Sequence, residues 1–382
     1  MSAIAKNLKR MRVARKLTQQ EVSDRIGLSR VAYSSIESGK SDPRVSNLQK
    51  LAGVFDVKLQ DIVVPIPKIT SLRFRALATL KQYELSQREE IVSDVGIWLK
   101  DFNELEDIVE DKPEYLFSEF SVKSKDTLTM VAENARKKLE VDENIPVSDI
   151  CEILEKAGIK IYLVDSKLKG FFGLSVSEYD GGPAICVNTS KEISIERQIF
   201  TVCHEFGHLI LHKDSYNVDE VEENKQQEKE ANEFASYFLM PQKFFEEKIE
   251  ENRGMHWIDN VLHTKRFFRV SYQVVLKRLE QFTGNQIWMK FYTAYYRRYS
   301  ERLTNHKEPR PLEGMSREPK KEPKALDSVD FVEDRLSRLV MIALEKGLVS
   351  FSRGAEILRI NLDGMREKVN SWGMLKWKEN SL

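Results

Sequence analysis

His204 and His208 stand four residues apart in the stretch TVCHEFGHLILHK, residues 201–213. On a helix that spacing brings both side chains to one face, about 6 Å apart along the axis. Two imidazoles aimed at one point supply half of a tetrahedral site of the zinc type. Glu205 lies beside them, close enough to take a proton from a water on such an ion, which is the work of a general base. The surrounding residues, IFTVCHEFGHLIL, are mostly apolar. Buried polar groups in such a setting need partners. An HExxH pattern also arises by chance, so its surroundings decide.

A third protein ligand leaves the fourth position to water. His212 continues the same stripe but lies about 12 Å from His204 along the axis, too far to share an ion; it reads as a structural or rim histidine. Asp214 falls where a metzincin-like ligand would stand, but Leu211 occupies the glycine position that permits the turn. The remaining source is the downstream helix QEKEANEFASYFLMP. Glu228, Asn232 and Ala235 share one of its faces, while Glu230 points elsewhere and Glu233 faces solvent. Glu228 follows His208 by twenty residues, which suits a helix–loop–helix return with Glu228 as third ligand. His256, His263 and Tyr237 are open candidates for stabilising an oxyanion. The strand AICVN, 184–188, offers its edge to an extended peptide. Cys203 reads as a small buried residue rather than a nucleophile. With Cys151 and Cys186 it forms no CxxC pair, so neither a disulfide framework nor a thiolate zinc site is expected.

The elements that must hold these residues divide the 382-residue chain into several parts. Residues 1–65 read as a five-helix unit with twelve basic and six acidic residues, against a net charge of zero for the whole chain. Within it, Thr18 caps a helix that Gly27 stops, and Ser29 caps a second helix from Arg30 to Ser38. Leu17, Val22, Ile26, Leu28, Val31 and Ile36 form an apolar seam between them. Arg30, Tyr33, Ser34 and Glu37 are then expected to point outward, as a recognition helix presents residues to a major groove. Gln19 and Ser29 stand at helix N-termini suited to phosphate oxygens, and Lys40 and Arg44 add positive charge.

Residues 66–125, including LRFRALATL, read as a helical connector. Residues 126–299 combine helices with strands at IKIYLV, GFFGLSV and AICVN, the last two a hairpin turning at Asp180-Gly-Gly-Pro. The aromatic stretch at 283–300 reads mainly as core packing. Residues 300–325 are charged and Pro-rich, the composition of a flexible linker. Residues 326–382 form a small helical, helix-turn-helix-like unit. The fold class expected is mainly α, with an α+β core domain carrying a small sheet. Hydrophobic residues make up 41% and charged residues 31% of the chain. No apolar run is long enough to span a bilayer and the N-terminus lacks a secretory core, so a cytoplasmic protein without membrane association is expected.

Two resemblances follow. LTQQEV, GLSRVAYSSIESGK and LQKLAGVFDVKLQDIV resemble the XRE (lambda-repressor/Cro-like) DNA-binding domains. This implies double-stranded operator DNA as a partner, bound through Gln19, Ser29, Arg30, Tyr33, Ser34 and Lys40 by a homodimer formed through or near that domain. VNTSKEISIERQIFTVCHEFGHLILH followed by EKEANEFASYFLMP resembles the ImmA/IrrE family of zinc metallopeptidases. The resemblance implies Zn2+ held by His204, His208 and Glu228, with Glu205 as base, and a protein substrate such as an XRE-type repressor. The expected function is a DNA-binding regulatory zinc endopeptidase acting in a stress or mobile-element response. The alternative is an antitoxin-like regulator whose zinc fold senses or binds without proteolysis. Intact Glu205 counts against it.

Overall fold

The computed structural model describes residues 2–14, 17–55, 57–65, 69–76, 82–216, 224–283, 287–303, 309, 326 and 330–373. The chain divides into two compact units. The first comprises residues 1–69, 76–101 and 168–170; the second comprises 70–75, 102–167 and 171–382.

Five helices open the first unit: α1 (Ala3–Ala14), α2 (Gln19–Ile26), α3 (Arg30–Glu37), α4 (Val45–Phe55) and α5 (Leu59–Val63). The caps act as the sequence implies. Thr18 and Glu21 form a reciprocal capping box, Gly27 ends α2 in the left-handed conformation, and the Ser29 hydroxyl accepts from Ala32 N–H. Leu8, Val22, Ile26, Ile36, Leu51 and Phe55 fill the core. The expected seam is corrected at one position, because Val31 is 76% exposed while Tyr33 is fully buried. Once α3 starts at Arg30, helical periodicity turns residues 33, 36 and 37 inward together. Glu37 is therefore buried too, and it receives Arg12 of α1 through paired bonds of 2.7 and 2.6 Å.

The second unit is built on a four-stranded sheet in the order β1-β3-β4-β2, from β1 (Leu72–Ala76), β2 (Lys160–Val164), β3 (Phe171–Val176) and β4 (Ala184–Asn188). β2 runs parallel to β4, and β3 pairs antiparallel with β4 with Gly173 opposite Val187. The two central strands are buried along their whole length, hence their continuous apolar sequences. β1 corrects the reading of LRFRA, the first part of LRFRALATL, as helix; residues 77–80 lie outside the described residues. Leu72 and Phe74 alternate with Arg73 and Arg75, a period of two that suits a strand once β3 offers an edge. α6 (Gln82–Val109) enters this unit at Phe102.

Next come α7 (Leu128–Lys138), α8 (Ile150–Lys156), α9 (Ile195–Leu211) and α10 (Lys225–Leu239). α9 packs on β3 and β4 with one side and on α10 with the other. Burial is continuous from Thr201 to Ile210. The end of α10 is fixed by two buried arginines: Arg136 donates to Phe238 O at 2.7 Å, and Arg278 donates to Met240 O at 2.9 Å. They satisfy carbonyls that a helix C-terminus leaves open. α11 (Gln242–Glu251), α12 (Trp257–Phe268), α13 (Tyr272–Thr283) and α14 (Ile287–Tyr299) complete the core, with Phe291 and Tyr295 buried as the aromatic stretch suggested. Three short helices, α15 (Arg335–Glu345), α16 (Phe351–Ile357) and α17 (Leu362–Ser371), follow. Buried Arg335 pairs there with Glu106, which also forms an ion pair with Lys160 at 3.1 Å. Most of the expected linker lies outside the described residues. Among the described residues no helix is long and apolar enough to cross a membrane.

Candidate metal centre

Two glycines let the polar residues of α9 come close to their neighbours. A Cβ on Gly207 would stand 2.9 Å from the ring of Phe234, so glycine there lets α10 approach. A Cβ on Gly173 would meet Thr201 at 2.6 Å and Glu205 at 3.4 Å, so glycine there lets β3 lie against the base. α10 is capped by Asn224, which accepts from Gln226 and Gln227 N–H, and this sets Glu228 in its first turn.

The carboxylate of Glu228 then faces both histidines. His204 Nε2 lies 3.2 Å from Glu228 Oε2, and His208 Nε2 lies 3.0 Å from Glu228 Oε1. The two Nε2 atoms are 3.0 Å apart. Burial pushes His208 well below the ordinary histidine value against the pull of Glu228, so its imidazole is neutral near pH 7.

Hydrogen bonds behind the histidines fix where the protons are. Glu230 is held ionised, as His212 and Gln226 outweigh its partial burial. A carboxylate only accepts, so His212 Nε2–H donates to Glu230 Oε2 at 2.9 Å. The lone pair of His212 Nδ1 then accepts from His208 Nδ1–H, also at 2.9 Å. His204 Nδ1–H donates to Asn232 Oδ1 at 3.0 Å. Both Nε2 atoms are therefore left as lone pairs directed at each other and at an anionic carboxylate.

That arrangement is repulsive by itself and is what a cation needs. The three donor atoms lie within 4.8 Å of one another. Tetrahedral ligands at about 2.0–2.1 Å from zinc stand about 3.3 Å apart, within a few tenths of an ångström of the separations here. The residues thus fit a divalent ion with two nitrogen donors and one oxygen donor. Periodicity had put Asn232 on the face of Glu228. It had dismissed Glu230, which acts through His212 one layer behind.

Glu205 is also anchored. Ser175 of β3 donates to Glu205 Oε2 at 2.8 Å, and Tyr216 O–H donates to Ser175 Oγ at 3.0 Å. Burial pushes the Tyr216 phenol up, which keeps it a donor. A further charge comes from β1: Arg73 lies 3.6 Å from Glu228 Oε1 and donates to Gln227 Oε1 at 2.6 Å and Ser215 O at 3.2 Å. Ser175, Tyr216 and Arg73 carry no local sequence signal, because the fold alone brings them to the helix. Two of the oxyanion candidates have other partners. Tyr237 accepts from Gln281 and sits under Arg278, and His256 caps α12. Cys203 is buried and its thiol is pushed up by burial, which disfavours the nucleophilic thiolate.

Residues 154–280 match the peptidase M78 family described as the IrrE N-terminal-like domain, and residues 8–62 match the helix-turn-helix family. An uncharacterised HTH-type transcriptional regulator of Methanocaldococcus jannaschii is 39% identical over 57 residues, 15% of this chain and 86% of that protein. The chain belongs to the helix-turn-helix family and carries an IrrE N-terminal-like domain. Two other relatives are similar over the same fraction of the chain. The uncharacterised HTH-type transcriptional regulator YqaE of Bacillus subtilis is 38% identical over 55 residues, covering 14% of this chain and about half (47%) of YqaE. An archaeal one from Archaeoglobus fulgidus is 33% identical over 57 residues, 15% of this chain and 80% of that protein.

In the helix-turn-helix domain, Ser29, Arg30, Lys40 and Arg44 are exposed, and Gln19 and Ser34 are half-buried. Tyr33 is the correction. Its ring lies in the core and its hydroxyl near Arg12 and Glu37, so it has no surface to offer a base. The IrrE-like match contains His204, Glu205, His208 and Glu228, whereas Arg73 lies outside its matched residues.

Proposed function

We propose that the IrrE-like domain is a zinc endopeptidase and that the helix-turn-helix domain brings it to operator DNA. The observation that carries the reading is the convergence of two imidazole nitrogens and one carboxylate beside a separately anchored glutamate. His204, His208 and Glu228 would hold the ion. A zinc ion bound there would supply a Lewis acid for the scissile carbonyl and would make an attacking water acidic near neutral pH.

Glu205 takes the proton of the attacking water and passes it to the leaving amine. Ser175, itself held by Tyr216, fixes the Glu205 oxygen that does not face the substrate. The continuous burial of α9 excludes bulk water and strengthens each of these interactions. At the DNA end, Arg30 and Ser34 reach toward base edges, while Gln19, Ser29, Lys40 and Arg44 hold phosphates. One such module binds weakly, which favours a homodimer on a two-fold site. The substrate that fits both halves is a repressor bound at the same operator, since tethering raises the effective concentration of enzyme there.

The zinc-loaded chain is incubated with repressors encoded beside its gene, and the products are read by mass spectrometry. Glu205→Gln should abolish cleavage while DNA binding persists in a gel shift. If wild type and Glu205→Gln leave the same intact repressor in vitro and the same phenotype in cells, the chain is a regulator without proteolysis.

A further inference from the structure

An endopeptidase must hold an extended stretch of its substrate, and exposed strand edges do this by backbone pairing. The sequence suggested β4 for the purpose. β4 is interior, flanked by β3 and β2. The strand next to the base is β3, whose Ser175 bonds Glu205 and whose Gly173 lies against it. The outer edge of β3 is already taken by β1, a strand from outside the IrrE-like match.

We propose that the outer edge of β3 is the docking edge for substrate peptide and that β1 is its intramolecular placeholder; the proposal rests on the peptidase reading. Arg73, on the middle of β1, stands 3.6 Å from Glu228, the ground a substrate side chain needs next to the ion. Leu72 and Phe74 point to the opposite face, where Phe74 stacks on Phe171 with centroids 4.9 Å apart. The start of the strand is held by a polar clamp. Asp180, on the turn between β3 and β4, accepts from Thr70 N–H, Ser71 N–H and, at 3.1 Å, the Thr70 hydroxyl. Ser177 N–H donates to Ser71 O at 3.1 Å. A substrate strand that replaces β1 must outcompete its pairing with β3, the burial of Leu72 and Phe74, this clamp and the arginine. β1 therefore sets a threshold for entry, and release of its clamp admits peptide.

The test uses the full zinc-loaded chain with Asp180→Ala, a residue outside the metal centre, and with Phe74→Ala as a second route to the same release. Hydrogen exchange reads the amides of residues 71–76. A fluorescein-labelled peptide of residues 69–76, ITSLRFRA, reads the exposed edge in a Glu205→Gln background that cannot cut it. At least tenfold faster exchange is expected with at least tenfold tighter peptide binding. With Glu205 intact, unfolded β-casein should be cut at least fivefold faster than by wild type.

Faster exchange without a gain in peptide binding overturns the proposal, as does slower casein cleavage, which would make β1 part of the working edge. A strand that neither variant loosens overturns it as well. Gain in peptide binding with no cleavage by any form leaves the docking edge standing and removes the peptidase reading.

Discussion

The layer behind the histidines can be tested with the metal alone. Asn232→Ala removes the acceptor for His204 Nδ1–H, and His212→Ala removes the acceptor for His208 Nδ1–H. Each leaves a ligand imidazole free to rotate and to take the tautomer that carries its proton on Nε2, the atom aimed at the ion. Loss of such outer partners typically costs about 10–100-fold in metal affinity, equivalent to about 1.4–2.7 kcal/mol. The two variants act on different imidazoles of one site, so the double variant should bind zinc more weakly than either single one, with a coupling term because the two ligands share the ion. Glu228→Gln, which removes the anionic donor, should exceed either single change. The assay is competition between the full chain and a chromophoric zinc chelator at pH 7.5, with circular dichroism to confirm folding. Single variants that hold zinc within twofold of wild type would refute the relay. So would a double variant no weaker than the single ones.

Three further outcomes are expected. Glu155 is buried, and burial, with Glu333 adding to it and Arg335 opposing it, pushes its carboxyl up to about 9. The folded chain then keeps a proton that the unfolded chain releases at its ordinary carboxylate value, so stability falls as pH rises from about 4.5 to 9. Denaturant titrations should show Glu155→Gln more stable than wild type by up to a few kcal/mol at pH 8 and nearly unchanged at pH 5; equal gains at both values contradict the burial argument. In the helix-turn-helix domain, Lys40→Ala should lower the salt slope of DNA binding by about 1, as loss of one phosphate contact does. Tyr33→Phe should leave both slope and sequence preference unchanged, because the ring faces the core; a binding study across salt concentrations distinguishes the two.

Local periodicity made much of this legible. Thr18, Gly27 and Ser29 mark helix ends by chemistry that acts within three or four residues. His204, His208, Glu228 and Asn232 are related by helical steps that hold wherever the helices go. The failures share a different cause. LRFRALATL suits an amphipathic helix as well as an edge strand, and its partner β3 begins about a hundred residues later, so only the sheet could choose. Ser175 is one of several serines in the chain until β3 meets α9. Tyr33 and Glu37 look like surface residues until α1 supplies Arg12.

The burial of α9 poses an energetic question that the relay answers. Three ionisable side chains with almost no exposure (His204, Glu205 and His208) lie within two turns. Each would cost several kcal/mol if left without partners. Every one has a hydrogen-bond partner on a different element: Asn232 on α10, Ser175 on β3, and His212 beyond the end of α9. The His208 line ends at Glu230, whose side chain keeps 34% exposure, and so delivers its negative charge to solvent. Glu228, at 13%, keeps its charge inside. The site thus places a buried anion where a cation is wanted and sends the other carboxylate to water, an arrangement that a purely structural histidine pair has no reason to maintain.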